Sequence, residues 1–90
     1  MIKDIVLKAV KSVNKELKNK DLKVVSEETI LFEKLDSMAI LDLILEIEGN
    51  IQTEYGKYIQ VADDTMMDAI KTPFKTVGTL IEFIEVKVSQ

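Results

Sequence analysis

The chain contains no cysteine and no histidine, and its 90 residues include only three glycines and one proline. Without cysteine there is no disulfide, no thiolate nucleophile and no zinc site built on sulfur. Without histidine, the commonest general base and nitrogen ligand are missing as well. Most enzyme chemistry thus lacks its usual groups. A domain of this size is better equipped to present something than to transform it, so a protein that is not an enzyme is expected. Scarce glycine and proline disfavour a turn-rich β-fold, while abundant Leu, Ile, Lys and Glu favour an all-α domain. Long apolar runs are also lacking. The longest, Met38 to Leu41, falls far short of a membrane helix. The opening MIKDIVLKAVK is interrupted by charges and has no apolar centre of the signal-peptide kind. A cytoplasmic protein without membrane insertion is the expectation.

What is present suits one small domain spanning residues 1–90. Hydrophobic residues make up 47% of the chain and charged residues 31%, enough for a single modest core under a well-solvated surface. The net charge of −4 divides unevenly. Residues 1–20 set six lysines against Asp4 and Glu16, a net +4, whereas residues 21–90 set six lysines against fourteen acids, a net −8. An acidic body disfavours nucleic-acid binding and attracts partners with basic patches. The early lysines alternate with apolar residues, which reads as the wet face of a helix rather than a lipid or RNA patch.

Ile2, Ile5, Val6, Ala9, Val10, Val13 and Leu17 recur at three- and four-residue steps, predicting an amphipathic first helix that ends at Asn19-Lys20-Asp21. Leu22 to Phe32 reads as a long loop pinned by Val24, Val25, Ile30, Leu31 and Phe32, with a helical turn at Ser26–Thr29. A second helix is predicted to open at Asp36-Ser37, both strong N-cap types, and to stop at Gly49-Asn50. Its apolar face is wide, combining Met38, Leu41 and Leu45 with Ile40, Ile44 and Ile47. Such a helix is either central or offers its remaining surface to a partner. Asp42 and Glu46 sit on its narrow polar side, with Glu48 nearby. Asp63-Asp64-Thr65 predicts a short helix through Ile70 that Pro73 ends, and Thr76 predicts the cap of a last helix with Val77, Leu80, Ile81, Ile84 and Val88 inside. The expected fold is a small four-helix bundle: three main helices plus a short third one.

The motif Leu35-Asp36-Ser37-Met38, in this layout, resembles the acyl and peptidyl carrier protein family. Members open their second helix with Asp-Ser-Leu or Asp-Ser-Met. The similarity spans nearly the whole chain, from the amphipathic first helix through Leu31-Phe32-Glu33 and the acidic second helix to the closing Thr76-Val77-Gly78-Thr79-Leu80-Ile81-Glu82-Phe83-Ile84. The resemblance implies a 4′-phosphopantetheine arm, transferred from coenzyme A to Ser37 by a phosphopantetheinyl transferase and carrying an acyl or aminoacyl thioester. It also implies that Asp36 helps meet the transferase, that Met38 sits beside the arm, and that Asp42, Glu46 and Glu48 dock loading and transfer enzymes through their basic patches. A monomer is expected.

Each residue has a plainer reading too. Ser37 and Asp36 would serve as simple helix caps, and the three acids would form an ordinary solvated face. An unmodified helical adaptor binding a basic partner through the second helix is the alternative function. Three departures bear on the cargo. Lys34 stands where the family often has glycine, Ala39 where fatty-acid carriers often have an acid, and the segment 50–74 is longer than usual. Together they argue for a specialised carrier rather than housekeeping fatty acid synthesis. Ile59 and Val61 are candidates to line the exit from the bundle.

Overall fold

The computed structural model describes residues 2–22, 24–56, 58–61, 68 and 70–89. These residues form three α-helices: α1 (Ile2–Leu17), α2 (Ser37–Tyr55) and α3 (Val77–Ser89). A single 3₁₀ turn at Lys20–Leu22 follows α1, and an isolated antiparallel bridge joins Ile30 to Thr76. Among the described residues the fold is all-helical. The short helix expected from Asp63 falls largely outside them. At its expected end the Asp68 carboxylate accepts the N–H groups of Ile70 and Lys71 at 2.9 and 3.3 Å, closing a turn before Pro73.

α1 forms as its periodicity requires, burying Ile2, Ile5, Val6, Ala9 and Val10 and packing against both α2 and α3. Its stripe fades toward the end, where Val13 is partly buried and Leu17 is exposed. The helix stops at Leu17 because Lys18 turns left-handed at φ 54. Asn14 holds that turn from both sides. Its carbonyl accepts the Lys18 N–H at 2.8 Å, its side-chain oxygen accepts the Asn19 N–H at 2.8 Å, and its amide donates to the Asn19 carbonyl at 3.2 Å. These bonds offset the usual cost of a non-glycine residue in that region.

The second helix runs further than expected. Gly49 and Asn50 lie inside α2, which continues to Tyr55 and ends at Gly56. Gly56 takes the left-handed conformation (φ 65) and donates its N–H to the Gln52 carbonyl at 3.0 Å. The correction has a simple cause. A helical glycine costs about 1 kcal/mol, whereas fully burying one isoleucine gains roughly 1.5–3 kcal/mol. Only a continuous helix brings Ile51 into the core, where it is wholly buried. Nothing lies within 4 Å of a Cβ added at Gly49. The Gly49→Ala variant should therefore gain about 0.5–1 kcal/mol of stability, read as a higher denaturant midpoint. A lower midpoint would contradict a continuous helix through residue 49.

α3 is capped as predicted. The Thr76 hydroxyl accepts the Thr79 N–H at 3.2 Å, and the Thr79 hydroxyl oxygen accepts the Thr76 N–H at 3.1 Å. Val77, Leu80, Ile81 and Ile84 face inward, and Val88 packs partly buried. The long loop is strapped to this cap. Leu31 and Phe32 donate to the carbonyls of Lys75 and Phe74 at 3.0 and 2.9 Å, and Val77 and Gly78 donate back to Thr29 and Glu27 at 2.9 and 2.7 Å. The approach is so close that a Cβ at Gly78 would sit 3.0 Å from the Glu27 carbonyl oxygen, so any larger residue would have to push that backbone aside.

A hydrogen-bonded turn does form at Ser26–Thr29, with the Thr29 N–H on the Ser26 carbonyl at 3.1 Å. The loop's apolar residues divide unexpectedly. Leu22 and Leu31 enter the core, Val25 and Phe32 pack at its edge, while Val24 is 85% exposed and Ile30 is also exposed. Ile59 and Val61 do not line an exit. Both are core residues, buried with Phe74 and Leu35 in the same cluster.

Candidate functional site

The plain capping reading of Ser37 does not hold, because the cap is Asp36. Asp36 has extended backbone (φ −81, ψ 177), and its carboxylate accepts the Ala39 N–H at 2.9 Å. Ser37 is thus the first helical residue of α2. It is exposed, and its hydroxyl forms no hydrogen bond among the described residues. The other three serines are placed differently. Ser26 lies in the turn with Thr29, the Ser89 hydroxyl donates to the Glu85 carbonyl at 2.6 Å, and Ser12 is partly buried within α1.

The position of Ser37 carries electrostatic consequences. The N–H groups of the first two helical residues, Ser37 and Met38, have no intrahelical acceptor, and the positive end of the helix dipole lies there. A phosphate ester on this oxygen would meet favourable charge. Leu35 anchors the approach: it is buried, and its N–H bonds the Leu31 carbonyl at 3.0 Å. Ser37 therefore sits at the joint between a strapped loop and a rigid helix.

Asp36 carries two possible duties that one pair of variants separates. Asn is as good an N-cap as Asp but carries no charge. Asp36→Ala should cost about 1 kcal/mol in thermal or denaturant melts, whereas Asp36→Asn should stay within a few tenths. Equal losses in both would mean that the charge, not the cap, stabilises α2.

α2 turns Ala39, Ile40, Leu43, Ile44, Ile47 and Ile51 inward. The rest of its wide apolar face stays outside. Met38, Leu41 and Leu45 are 70%, 48% and 66% exposed, forming a stripe along one edge of the helix below Ser37. Met38 therefore stands next to Ser37 in solvent, where a flexible thioether adapts to whatever covers it.

Asp42 and Glu46 lie one turn apart beside that stripe and share a cleft of about 490 Å³ with Val13, Glu16, Leu17 and Leu45. A second, smaller cleft sets Asp4 and Lys8 of α1 against Asn50 and Glu54 of α2. The two pairings run in opposite directions along the helices, so α1 and α2 are antiparallel. Sequence reasoning missed Glu16 and Leu17 as neighbours of Asp42 and Glu46, since only the antiparallel register joins them.

Glu48 does not belong with the other two acids. It lies two residues beyond Glu46, about 200° round the helix. There its carboxylate accepts the Val61 N–H at 2.7 Å. That charge-assisted bond fastens the 58–61 segment to α2, placing Ile59 and Val61 in the core.

Among the described residues no group of three or more acidic side chains is arranged to hold a metal ion, and no helix is long and apolar enough to cross a membrane. Comparison with known proteins found no matching family model, no matching curated protein and no matching solved structure.

Proposed function

We propose that the chain is a carrier protein of the acyl or peptidyl type. In this reading Ser37 holds a 4′-phosphopantetheine arm donated by coenzyme A, and the arm presents an acyl or aminoacyl thioester to enzymes of a cytoplasmic biosynthetic pathway. The protein itself catalyses nothing. The fold completes as a small four-helix bundle, with a short helix contributed before Pro73, and the chain acts as a monomer. The observation that carries the reading is the state of Ser37: an exposed hydroxyl on the first residue of α2 that bonds nothing among the described residues, with its capping duty taken by Asp36.

The surroundings support it. Exposed Met38, Leu41 and Leu45 offer an apolar track for a partner surface, and Asp42 and Glu46 beside it suit a basic rim on that partner. Because no cysteine is present, the chain has no thiol of its own to compete in thioester exchange, and the reactive sulfur is the arm's. Glu48 is better used within the chain than in docking. Lys34, Ala39 and the long segment 50–74 favour a specialised cargo over fatty acid synthesis.

Incubation with coenzyme A and a phosphopantetheinyl transferase should add a single arm, seen as one mass increment on the intact protein. An unmodified product across several unrelated transferases would count against the carrier. The exposed stripe also fits an unmodified adaptor that binds a basic partner through α2. That reading predicts partner binding that is indifferent to Ser37→Ala.

A further inference from the structure

The end of α1 holds a group of cations that the carrier reading leaves unused. Lys15, Lys18 and Lys20, with Asn14 and Asn19, line a cleft of about 360 Å³. None of the three lysine ammonium groups forms an ion pair or hydrogen bond among the described residues. They belong to the only basic stretch of an acidic chain, residues 1–20 at a net +4. The cleft is also shaped by fixed backbone. Asn14 clamps the left-handed turn at Lys18, and Lys18 and Lys20 leave the helix from that turn.

Its location matters as much as its charge. The Asn19 amide donates to the Lys34 carbonyl at 3.4 Å, tying this end of α1 to a residue three positions before Ser37. The chain between Lys34 and Ser37 can span no more than about 11 Å. The antiparallel packing independently sets the C-terminal end of α1 beside the N-terminal end of α2. The cleft therefore lies near the start of α2, although its lining comes from the end of α1 and the turn after it.

We infer that this cleft is a binding site for a phosphate-bearing ligand. Cations at a helix C-terminus are favoured by the dipole without any ligand, which accounts for one or two lysines there. It does not account for three around one cleft whose ammonium groups meet no partner among the described residues. The chemistry suits a compact, multiply charged anion such as phosphate. All 12 basic side chains in the protein are lysines, which act as compact point charges suited to phosphate rather than as the paired donors of an arginine fork. The site does not depend on Ser37 being modified. Its phosphate comes either from a free small molecule or from the arm's own phosphodiester.

The test is a pyrophosphate titration of the full chain at low salt, followed by ¹H–¹⁵N NMR. Saturable shifts should appear at Asn14–Lys20 and Leu35–Ser37, and affinity should fall at least tenfold in the triple variant Lys15→Gln/Lys18→Gln/Lys20→Gln. Ser37→Ala should bind as the wild type does, so failure of the carrier reading leaves this result untouched. Chain that already carries the arm distinguishes the two sources: lost pyrophosphate binding assigns the cleft to the arm's phosphodiester, and retained binding assigns it to a free ligand. Shifts spread equally over Lys71, Lys75 and Lys87, or the same affinity in the triple variant, would overturn the site.

Discussion

Replacing Ser37 with alanine is expected to abolish attachment of the phosphopantetheine arm while changing the stability of the fold by no more than about 0.5 kcal/mol. Both halves of that expectation come from the same geometry. The hydroxyl is the only one at the start of α2 and forms no bond within the described chain, so its removal disconnects nothing. Alanine is the best helix former, and the cap at Asp36 is intact in the variant. Intact mass reads the first half and a thermal melt the second. A variant that still accepts one arm would place the attachment elsewhere. A variant that unfolds would mean that Ser37 has a structural duty absent from this arrangement.

The largest loss of stability should come from Phe74→Ala. Phe74 is completely buried and is among the largest side chains in that condition. Its backbone is held on both sides: its N–H bonds the Thr72 hydroxyl at 3.1 Å, and its carbonyl accepts the Phe32 N–H at 2.9 Å. Neighbours fixed in this way relax poorly into the space left behind. Phenylalanine truncations of this kind cost about 3–5 kcal/mol, a large share of the 5–15 kcal/mol typical of a domain. The melting temperature should fall by roughly 12–40 °C, and Val24→Ala, at a side chain 85% exposed, serves as the neutral control. A shift of only a few degrees in Phe74→Ala would contradict the placement of this residue at the centre of the strap. Because the strap holds the loop that leads to Ser37, a partly folded variant should also be modified more slowly.

Local patterns in the sequence were good guides wherever local physics decides. The stripe of α1 as far as Val13, the cap at Thr76 and the opening of α2 at Asp36-Ser37 all depend on residues within one or two turns, and each is found where expected, whereas Leu17 is exposed. The division of labour at that opening was less legible. Asp36 and Ser37 are both capping types, and only the folded backbone decides which carboxylate or hydroxyl takes the Ala39 N–H. Gly49 misled because the reason α2 continues lies in the core contact of Ile51, which the glycine itself does not signal.

Long-range pairing was hidden altogether. Nothing in the sequence announces that residues 27–32 will exchange backbone hydrogen bonds with residues 74–78, or that Glu48 will hold Val61. The acidic positions show the consequence most plainly. Three acids close in sequence became two on a cleft with Glu16, and one committed to the fold. The apolar face of α2 was legible as unusually wide. Its split into a buried side and the exposed stripe of Met38, Leu41 and Leu45 needed the placement of α1.

Peptide mapping by tandem mass spectrometry of protein purified from its native source shows whether the Ser37 oxygen carries the arm. Fragmentation locates any arm to a single side chain among four serines and reports what the arm carries. A phosphopantetheine, free or acylated, is expected on the peptide containing Leu35-Asp36-Ser37-Met38, and on Ser37 within it. Unmodified Ser37 throughout that preparation, or an arm on Ser12, Ser26 or Ser89, would contradict it.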